Sequence, residues 1–456
     1  MRRRTLITAT VAGGLAIAGA VAALLLIGRT PQVGIETAPV ADQLTDTIER
    51  PDTSALWKAE ALPWPTFGRD GSRASDGSGL NLAVPGKALW ARNLTRLVEF
   101  PPVVGGGAVY VNVNRRGTYA INPKSGRVWW WYRSTARSAS SPAIDGQRVF
   151  IASFDRVIRA LRRDNGKLIW RFRTGGPVES SPLATGGVLY IGSSDHRMYA
   201  LDAATGRLKW AFRTGGAVKA APVVVDGRLY VSSYDGGIYA LDAETGRLIW
   251  RKYFFRLPRI FDSFYASPAI SAGTIVIASR AGKVRALRAS TGQKLWAREI
   301  GGQGYATAAI ARGTAFIGSY NGRLMALDLA TGAVRWQIKE PSGIAGSPVV
   351  IGRYLYYSTL GARTTARRLT DGKSVWGVAL GRYVPASAGP TRFYFSLGKR
   401  VIAFIPRGGD ETDLRRLRSR RLQLKARQAR QAKAKATRQR SNRQPARRSA
   451  PRRSPR

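Results

Sequence analysis

Eight tryptophans, Trp90, Trp130, Trp170, Trp210, Trp250, Trp296, Trp336 and Trp376, stand 40, 40, 40, 40, 46, 40 and 40 residues apart. A chain punctuated this way is a repeat protein, and a period of about 40 residues belongs to propellers or to helical arrays. A Gly-x-x-x-Trp phrase recurs with them: Gly126 precedes Trp130, Gly166 precedes Trp170, and the same holds for Gly206, Gly246, Gly292, Gly332 and Gly372.

The interior of each unit decides between the two architectures. In residues 218–250, Val223-Val224-Val225 is followed by Asp226-Gly227, Leu229 to Ser233, Asp235-Gly236, Ile238 to Asp242, Thr245-Gly246 and Arg247 to Trp250. Short alternating apolar runs broken by Asp-Gly are strands joined by tight hairpins, not helices. The unit is therefore a four-stranded sheet that cannot bury both faces alone, so units stack radially around a channel. A large aromatic at the outer end of each blade fills the widening gap to its neighbour, which makes the eight tryptophans blade-docking residues first.

The blade count follows from the ends. Beyond Trp376 come Tyr394-Phe395-Ser396 and Val401 to Phe404 without a closing tryptophan, whereas Lys87 to Trp90 lack preceding strands of their own. Those upstream residues are expected to complete the last blade and clasp the ring. The reading is an all-β propeller of eight blades over residues 57–409, with seven blades as the alternative.

Tyr-Ala-Leu-Asp-Ala-x-Thr-Gly-x-x-x-Trp at Tyr199–Trp210 and Tyr239–Trp250, with Trp64-Pro65-Thr66-Phe67-Gly68-Arg69-Asp70 before the ring, resembles the pyrroloquinoline quinone (PQQ)-type propeller repeat. The resemblance covers about Trp64 to Phe404 and implies eight blades closed by the N-terminal strand. Its family holds quinone-dependent alcohol and sugar dehydrogenases, and also non-catalytic scaffolds such as the propeller of the outer-membrane β-barrel assembly machine. Arg162, Arg288 and Arg368 depart from the pattern, standing where other units have Asp202, Asp242 and Asp328.

The resemblance to the catalytic branch implies a disulfide of adjacent cysteines, a calcium held by acidic and amide side chains, and an aspartate base. The chain has no cysteine, which excludes that disulfide. Asp202, Asp242 and Asp328 recur at one place in the repeat and read as turn residues bonding the following Thr-Gly backbone. The single histidine, His196, replaces the glycine of the Asp235-Gly236 turn and also reads as a turn residue. No catalytic, cofactor-binding or metal-ligating residue is therefore assigned. A non-enzyme without cofactor is expected, and a PQQ- and calcium-dependent dehydrogenase with a cysteine-free site is the alternative.

Function on a propeller lives where the repeats disagree, on loops carried by the rigid ring. Three residues before each Pro142-type position the chain holds Glu99, Ala139, Glu179, Lys219, Tyr265, Tyr305, Ala345 and Arg382, expected at the channel mouth and suited to a peptide or small polar ligand. Ordinary solvated loop residues would look the same. The second departure is the 46-residue unit, whose extra residues carry Tyr253, Phe254, Phe255, Arg256, Arg259, Phe261 and Phe264. Aromatics and arginines of this kind mark interface hot spots, and a loop packed on its own blade would share the pattern. Partner contact and private packing stay equally open.

Residues 5–28 carry no charge, enough to span a bilayer as a helix. Arg2, Arg3 and Arg4 precede this stretch and Glu36, Asp42, Asp46 and Glu49 follow it. The positive-inside rule then leaves the N-terminus cytoplasmic and the propeller outside the cell membrane. An uncleaved single-pass anchor over residues 1–28 is favoured over a cleaved signal peptide, and residues 29–56 read as a flexible acidic spacer.

At the other end, residues 410–456 form a basic tail with eighteen lysines and arginines from Arg415 onward and no acid after Asp413. It reads as disordered or partly helical. Without the tail and the leading arginines, bases still outnumber acids about two to one, within a total net charge of +47. The expected partners are envelope proteins and an anionic lipid or cell-wall polymer met by the tail. Nucleic acid is disfavoured because no base-reading motif accompanies the charge, and a monomer is favoured. The function expected is a membrane-anchored, extracytoplasmic, non-catalytic binding or assembly scaffold.

Overall fold

The computed structural model describes residues 64–257, 260–383 and 386–408, with positions 419 and 423. The expected anchor and acidic spacer, and the basic tail apart from positions 419 and 423, lie outside the described residues. Among the described residues no helix is long and apolar enough to cross a membrane. The chain divides into two units, Met1–Gly408 and Gly409–Arg456, and the ring lies within the first.

Eight antiparallel blades make up that ring. Blade 4 is typical, with strands Val223–Val225, Arg228–Ser232, Gly237–Asp242 and Leu248–Tyr253. Its first hairpin turns on Asp226 and Gly227, whose φ angles of 50° and 70° match a two-residue turn that follows the twist of the strands. The last strand runs three residues past Trp250 in regular pairing to Gly237↔Tyr253, and a bulge between Ala240 and Leu241 lies just before Trp250. The middle strands are buried on both faces by neighbouring blades, so the cores lie between blades. One such core packs Phe150, Ile158 and Trp170 of blade 2 against Leu189, Ile191 and Tyr199 of blade 3.

Blade 8 takes Ala386–Ala388, Phe393–Leu397 and Arg400–Pro406 from the C-terminal side and Pro85–Asn93 from the N-terminal side, Trp90 facing Ala403. The ends of the ring are thus clasped in one sheet, and the count is eight.

Seven of the eight tryptophans dock on the following blade in one way. The Trp130 indole N–H donates to the Arg163 carbonyl at 2.8 Å, and its ring lies so close to Gly166 that a Cβ there would sit 2.5 Å from Cε3. Trp90 meets the Pro123 carbonyl and Gly126 likewise, and Trp296 meets Leu329 and Gly332. The repeated glycine is required twice over, by its positive φ and by this contact. Trp376 differs, because blade 8 has no such glycine turn, and it packs instead on Phe395 and Phe404 at 5.5 and 5.9 Å between ring centres.

A second clasp runs around the channel. The backbone N–H of Ala221, Ser267 and Thr307 each donates to the hydroxyl of the equivalent residue one blade on, Ser267, Thr307 and Ser347, at 2.8, 3.1 and 2.9 Å.

Candidate functional site

The segment Trp64–Gly77 is more than an entry. It forms a belt inside the channel, paired with the innermost strands of successive blades. Backbone N–H groups of Val104, Ile144, Val224, Ile270, Ile310 and Val350 donate to carbonyls of Trp64, Pro65, Gly71, Ser72, Ala74 and Ser75. Its end, Asp76–Gly77, adds a parallel strand to blade 7. Asp70 supports the tightest bend by accepting from the Ser72 backbone N–H at 3.0 Å and the Ser72 hydroxyl at 2.6 Å.

Arg73 closes the middle. Its backbone lies between the contacts to blades 5 and 6, yet its side chain reaches back to the preceding blades 4 and 3, donating to the carbonyls of Pro222 (3.0 Å) and Pro182 (3.1 Å). It also donates to the Thr66 hydroxyl at 2.7 Å and to the Phe67 carbonyl. The guanidinium is fully buried, and burial, opposed by the charge of Asp70, lowers its pKa to about 9.

Above the belt lies a cup of about 470 Å³, floored by Trp64, Phe67, Gly68 and Ser75. Of the residues expected at the channel mouth, Glu99, Glu179, Lys219, Tyr265, Tyr305 and Ala345 line it. Ala139 is buried, and Arg382 is exposed outside the lining, where its neighbour Tyr383 takes part instead. The reason for that correction is a shortened link. The inner strand of blade 8 starts at Ala386, 37 residues after Val349, three sooner than the repeat requires.

Tyr234, Arg280 and Tyr320 also line the cup. They occupy a second variable register, just before the Asp235-Gly236 type of turn, where other units hold Phe154, Ser194 and Leu360. Backbone bonds bring the registers together: Tyr234 N–H to Ala217, Arg280 to Ser263 and Tyr320 to Gln303, each two residues before a mouth position. Comparing the turns across repeats would have exposed this register in the sequence. The role of Arg73 carried no such signal, because the belt does not repeat.

One wall of the cup is aromatic. Tyr234, Tyr265, Tyr305 and Tyr320 stand edge to face in sequence, with ring centres 6.4, 5.7 and 5.6 Å apart. Arg280 lies over the rings of Tyr234 and Tyr305 at 5.9 and 6.0 Å. Next to this wall the lining is charged: Lys219 Nζ pairs with Glu179 Oε1 at 2.8 Å and sits 5.1 Å from the Tyr234 ring centre. Burial raises the Glu99 carboxyl above its ordinary range, with Arg137 opposing and Glu179 reinforcing the shift. Burial likewise raises Tyr265 and pushes Tyr234 up to about 12, against the pull of Arg280.

These residues do not fit a calcium-quinone site. Calcium takes six to eight oxygens, several from carboxylates, whereas the cup lining offers Glu99 and a Glu179 already tied to Lys219. Among the described residues no group of three or more His, Cys, Asp or Glu stands together. Asp202, Asp242 and Asp328 bind their own turns, accepting from the backbone N–H of Thr205, Thr245 and Thr331 at 2.8, 2.8 and 2.9 Å. His196 is a turn residue with φ of 69°.

The extra residues of the 46-residue unit form a small hairpin, Phe255–Leu257 with Ile260–Phe261. Several of the aromatics proposed for partner contact turn inward. Tyr253 packs on Tyr239 at 6.0 Å, Phe254 meets the fully buried Phe264 at 6.1 Å, and Arg285 lies over Phe254 at 4.6 Å. Asp262 and Arg285 form a buried ion pair of 3.0 Å beneath them. This private packing covers a charge pair made by Asp262, just after the hairpin, and Arg285 of the strand Lys283–Arg288. Phe255 remains 53% exposed, while Arg259 lies outside the described residues, as do the side chains of Arg256 and Phe261.

Residues 80–180 and 154–378 match a family model described as outer membrane protein assembly factor BamB. Among solved structures the fold is similar to BamB from Moraxella catarrhalis, with 17% identity, 70% of this chain and 99% of that chain covered, and a TM-score of 0.61. It is also similar to the quinohemoprotein alcohol dehydrogenase from Comamonas testosteroni (16% identity, 78% and 84% covered, TM-score 0.65). A europium-containing methanol dehydrogenase is a third such neighbour (15%, 75% and 91%, TM-score 0.63). At these identities the likeness is one of fold. No curated protein matches the sequence.

Proposed function

From the premise that the chain belongs to the PQQ-type propeller family whose matching model is described as outer membrane protein assembly factor BamB, we propose that it is a non-catalytic envelope scaffold. Its ring is displayed outside the cell membrane on the N-terminal anchor, and binds partners through the cup and the hairpin of blade 5. The basic body and tail hold it against an anionic surface.

The observation that carries this reading is the Lys219–Glu179 pair inside the cup. One of the two cup acids is neutralised by a neighbouring cation, which suits a surface that recognises and holds. A general base or calcium ligand needs a carboxylate free to accept a proton or a metal. The dehydrogenase neighbours give the competing reading, in which the same cup would hold PQQ with calcium.

The test is to titrate the chain with PQQ and calcium while following tryptophan quenching and dye reduction with alcohols and sugars. The scaffold reading expects no saturable binding and no turnover. Calcium-dependent turnover would replace it with the dehydrogenase.

A further inference from the structure

The belt restricts what the cup can recognise. Propeller and sheet surfaces capture extended peptides by adding a strand to a free edge. Here the channel-facing edges of blades 1, 2, 4, 5, 6 and 7 already donate their backbone N–H groups to the belt, and blade 3 gives its Pro182 carbonyl to Thr66 and Arg73. The hydroxyls of Ser267, Thr307 and Ser347 are likewise engaged between blades. Along these blades an occupant is read by side chains at the mouth.

Those side chains have a consistent chemistry. Tyr265, Tyr305 and Tyr320 offer a wall of rings against which the C–H face of a sugar packs. Lys219, Glu179 and Glu99 offer charged donors and acceptors of the kind that hydroxyl groups bond strongly. Arg280 is exposed and held over two tyrosine faces, with a hydrogen bond of 3.4 Å to the Ser263 hydroxyl. A guanidinium so placed presents its fork to a planar anion, for which carboxylate is the natural match. The net charge of +47 draws polyanions toward the ring before any contact is made.

We propose that the cup binds a carboxylated sugar unit of an acidic polysaccharide, with the ring on the tyrosine wall and the carboxylate on Arg280. The proposal rests on the extracytoplasmic reading only for the source of the polymer. Binding itself is a property of the cup and is measured in solution.

The experiment titrates the full chain in detergent at 0.3 M salt, which screens non-specific attraction by the tail, with tetragalacturonate, a neutral tetrasaccharide, tetraglutamate and PQQ as separate probes. Tetragalacturonate is expected to saturate, with the neutral sugar at least tenfold weaker. Arg280→Gln, an exposed position whose loss leaves the ring folded, should weaken tetragalacturonate at least tenfold while leaving the neutral sugar unchanged. Tyr305→Leu should weaken both sugars. Equal or tighter binding of tetraglutamate would make the cup a peptide site and overturn the proposal, as would unchanged affinity in the Arg280 and Tyr305 variants or no saturable sugar binding. Dye reduction with PQQ would instead sink the scaffold reading, which a failure of sugar binding alone leaves standing.

Discussion

Arg73 donates to the carbonyl oxygen of Pro182 at 3.1 Å, so one side chain of the belt, whose backbone meets blades 5 and 6, also ties in blades 3 and 4. Buried charge of this kind survives only where every donor finds an acceptor. Arg73→Ala removes bonds to Pro182, Pro222, Thr66 and Phe67, taking the guanidinium donor from the buried Pro222 carbonyl and leaving Pro182 with the Thr66 hydroxyl alone. It should cost roughly 3 to 5 kcal/mol of unfolding free energy in a denaturant titration. A loss under 1 kcal/mol would mean that water replaces the guanidinium and the belt is not held by it.

The glycine contacts of the tryptophans make a paired comparison. Gly166→Ala places a methyl against Trp130 at a φ of 71° and should destabilise by roughly 2 to 4 kcal/mol. Gly146→Ala has a φ of 53° but no atom within 4 Å, and should cost only about 1 kcal/mol. Equal losses would show that backbone conformation alone, not blade docking, sets the glycine requirement.

Arg285→Met should destabilise by about 3 to 5 kcal/mol, because it leaves Asp262 charged and buried. The loss should shrink when Asp262 is changed to Asn in the same chain. Additive losses in that double-mutant cycle would mean that the two residues act independently.

Glu99 sets a pH dependence. Its folded pKa is raised, so the folded state holds the proton more tightly and this residue's contribution is greatest below the ordinary glutamate pKa of about 4.3. The contribution falls as pH rises through the raised value. Glu99→Gln removes the fall, and the variant should gain stability over the original chain between pH 4 and pH 7. Parallel stability curves over that range would rule out the shift.

Within the blade 5 hairpin, Phe255→Ala should reduce capture of envelope proteins without changing the unfolding midpoint, since its ring is largely exposed. Phe254→Ala should lower stability by roughly 2 to 4 kcal/mol through its contacts with Phe264 and Arg285. Unchanged capture by the Phe255 variant would confine partner binding to the cup.

What the sequence determined by itself was everything that repeats. The tryptophan spacing, the Asp-Gly hairpins and the orphan strand at Lys87 to Trp90 led to eight blades and their closure, because each signal is local and is repeated under the same packing constraint. The first mouth register was legible for the same reason: a fixed offset in a rigid blade puts Glu99, Glu179, Lys219, Tyr265 and Tyr305 around one cup. Where the offset broke, at the shortened link before blade 8, Tyr383 stood in place of Arg382. Only the tertiary structure decided the rest. The belt pairs Trp64–Gly77 with strands up to 275 residues away, as in Val350 to Ser75 and Gly352 to Gly77, and it occupies inner edges of blades 1, 2, 4, 5, 6 and 7. The inward turn of Phe254 and Phe264 likewise depends on Arg285 arriving from a different strand. Composition records which groups a segment carries, but burial and pairing are set by what the rest of the chain brings against it.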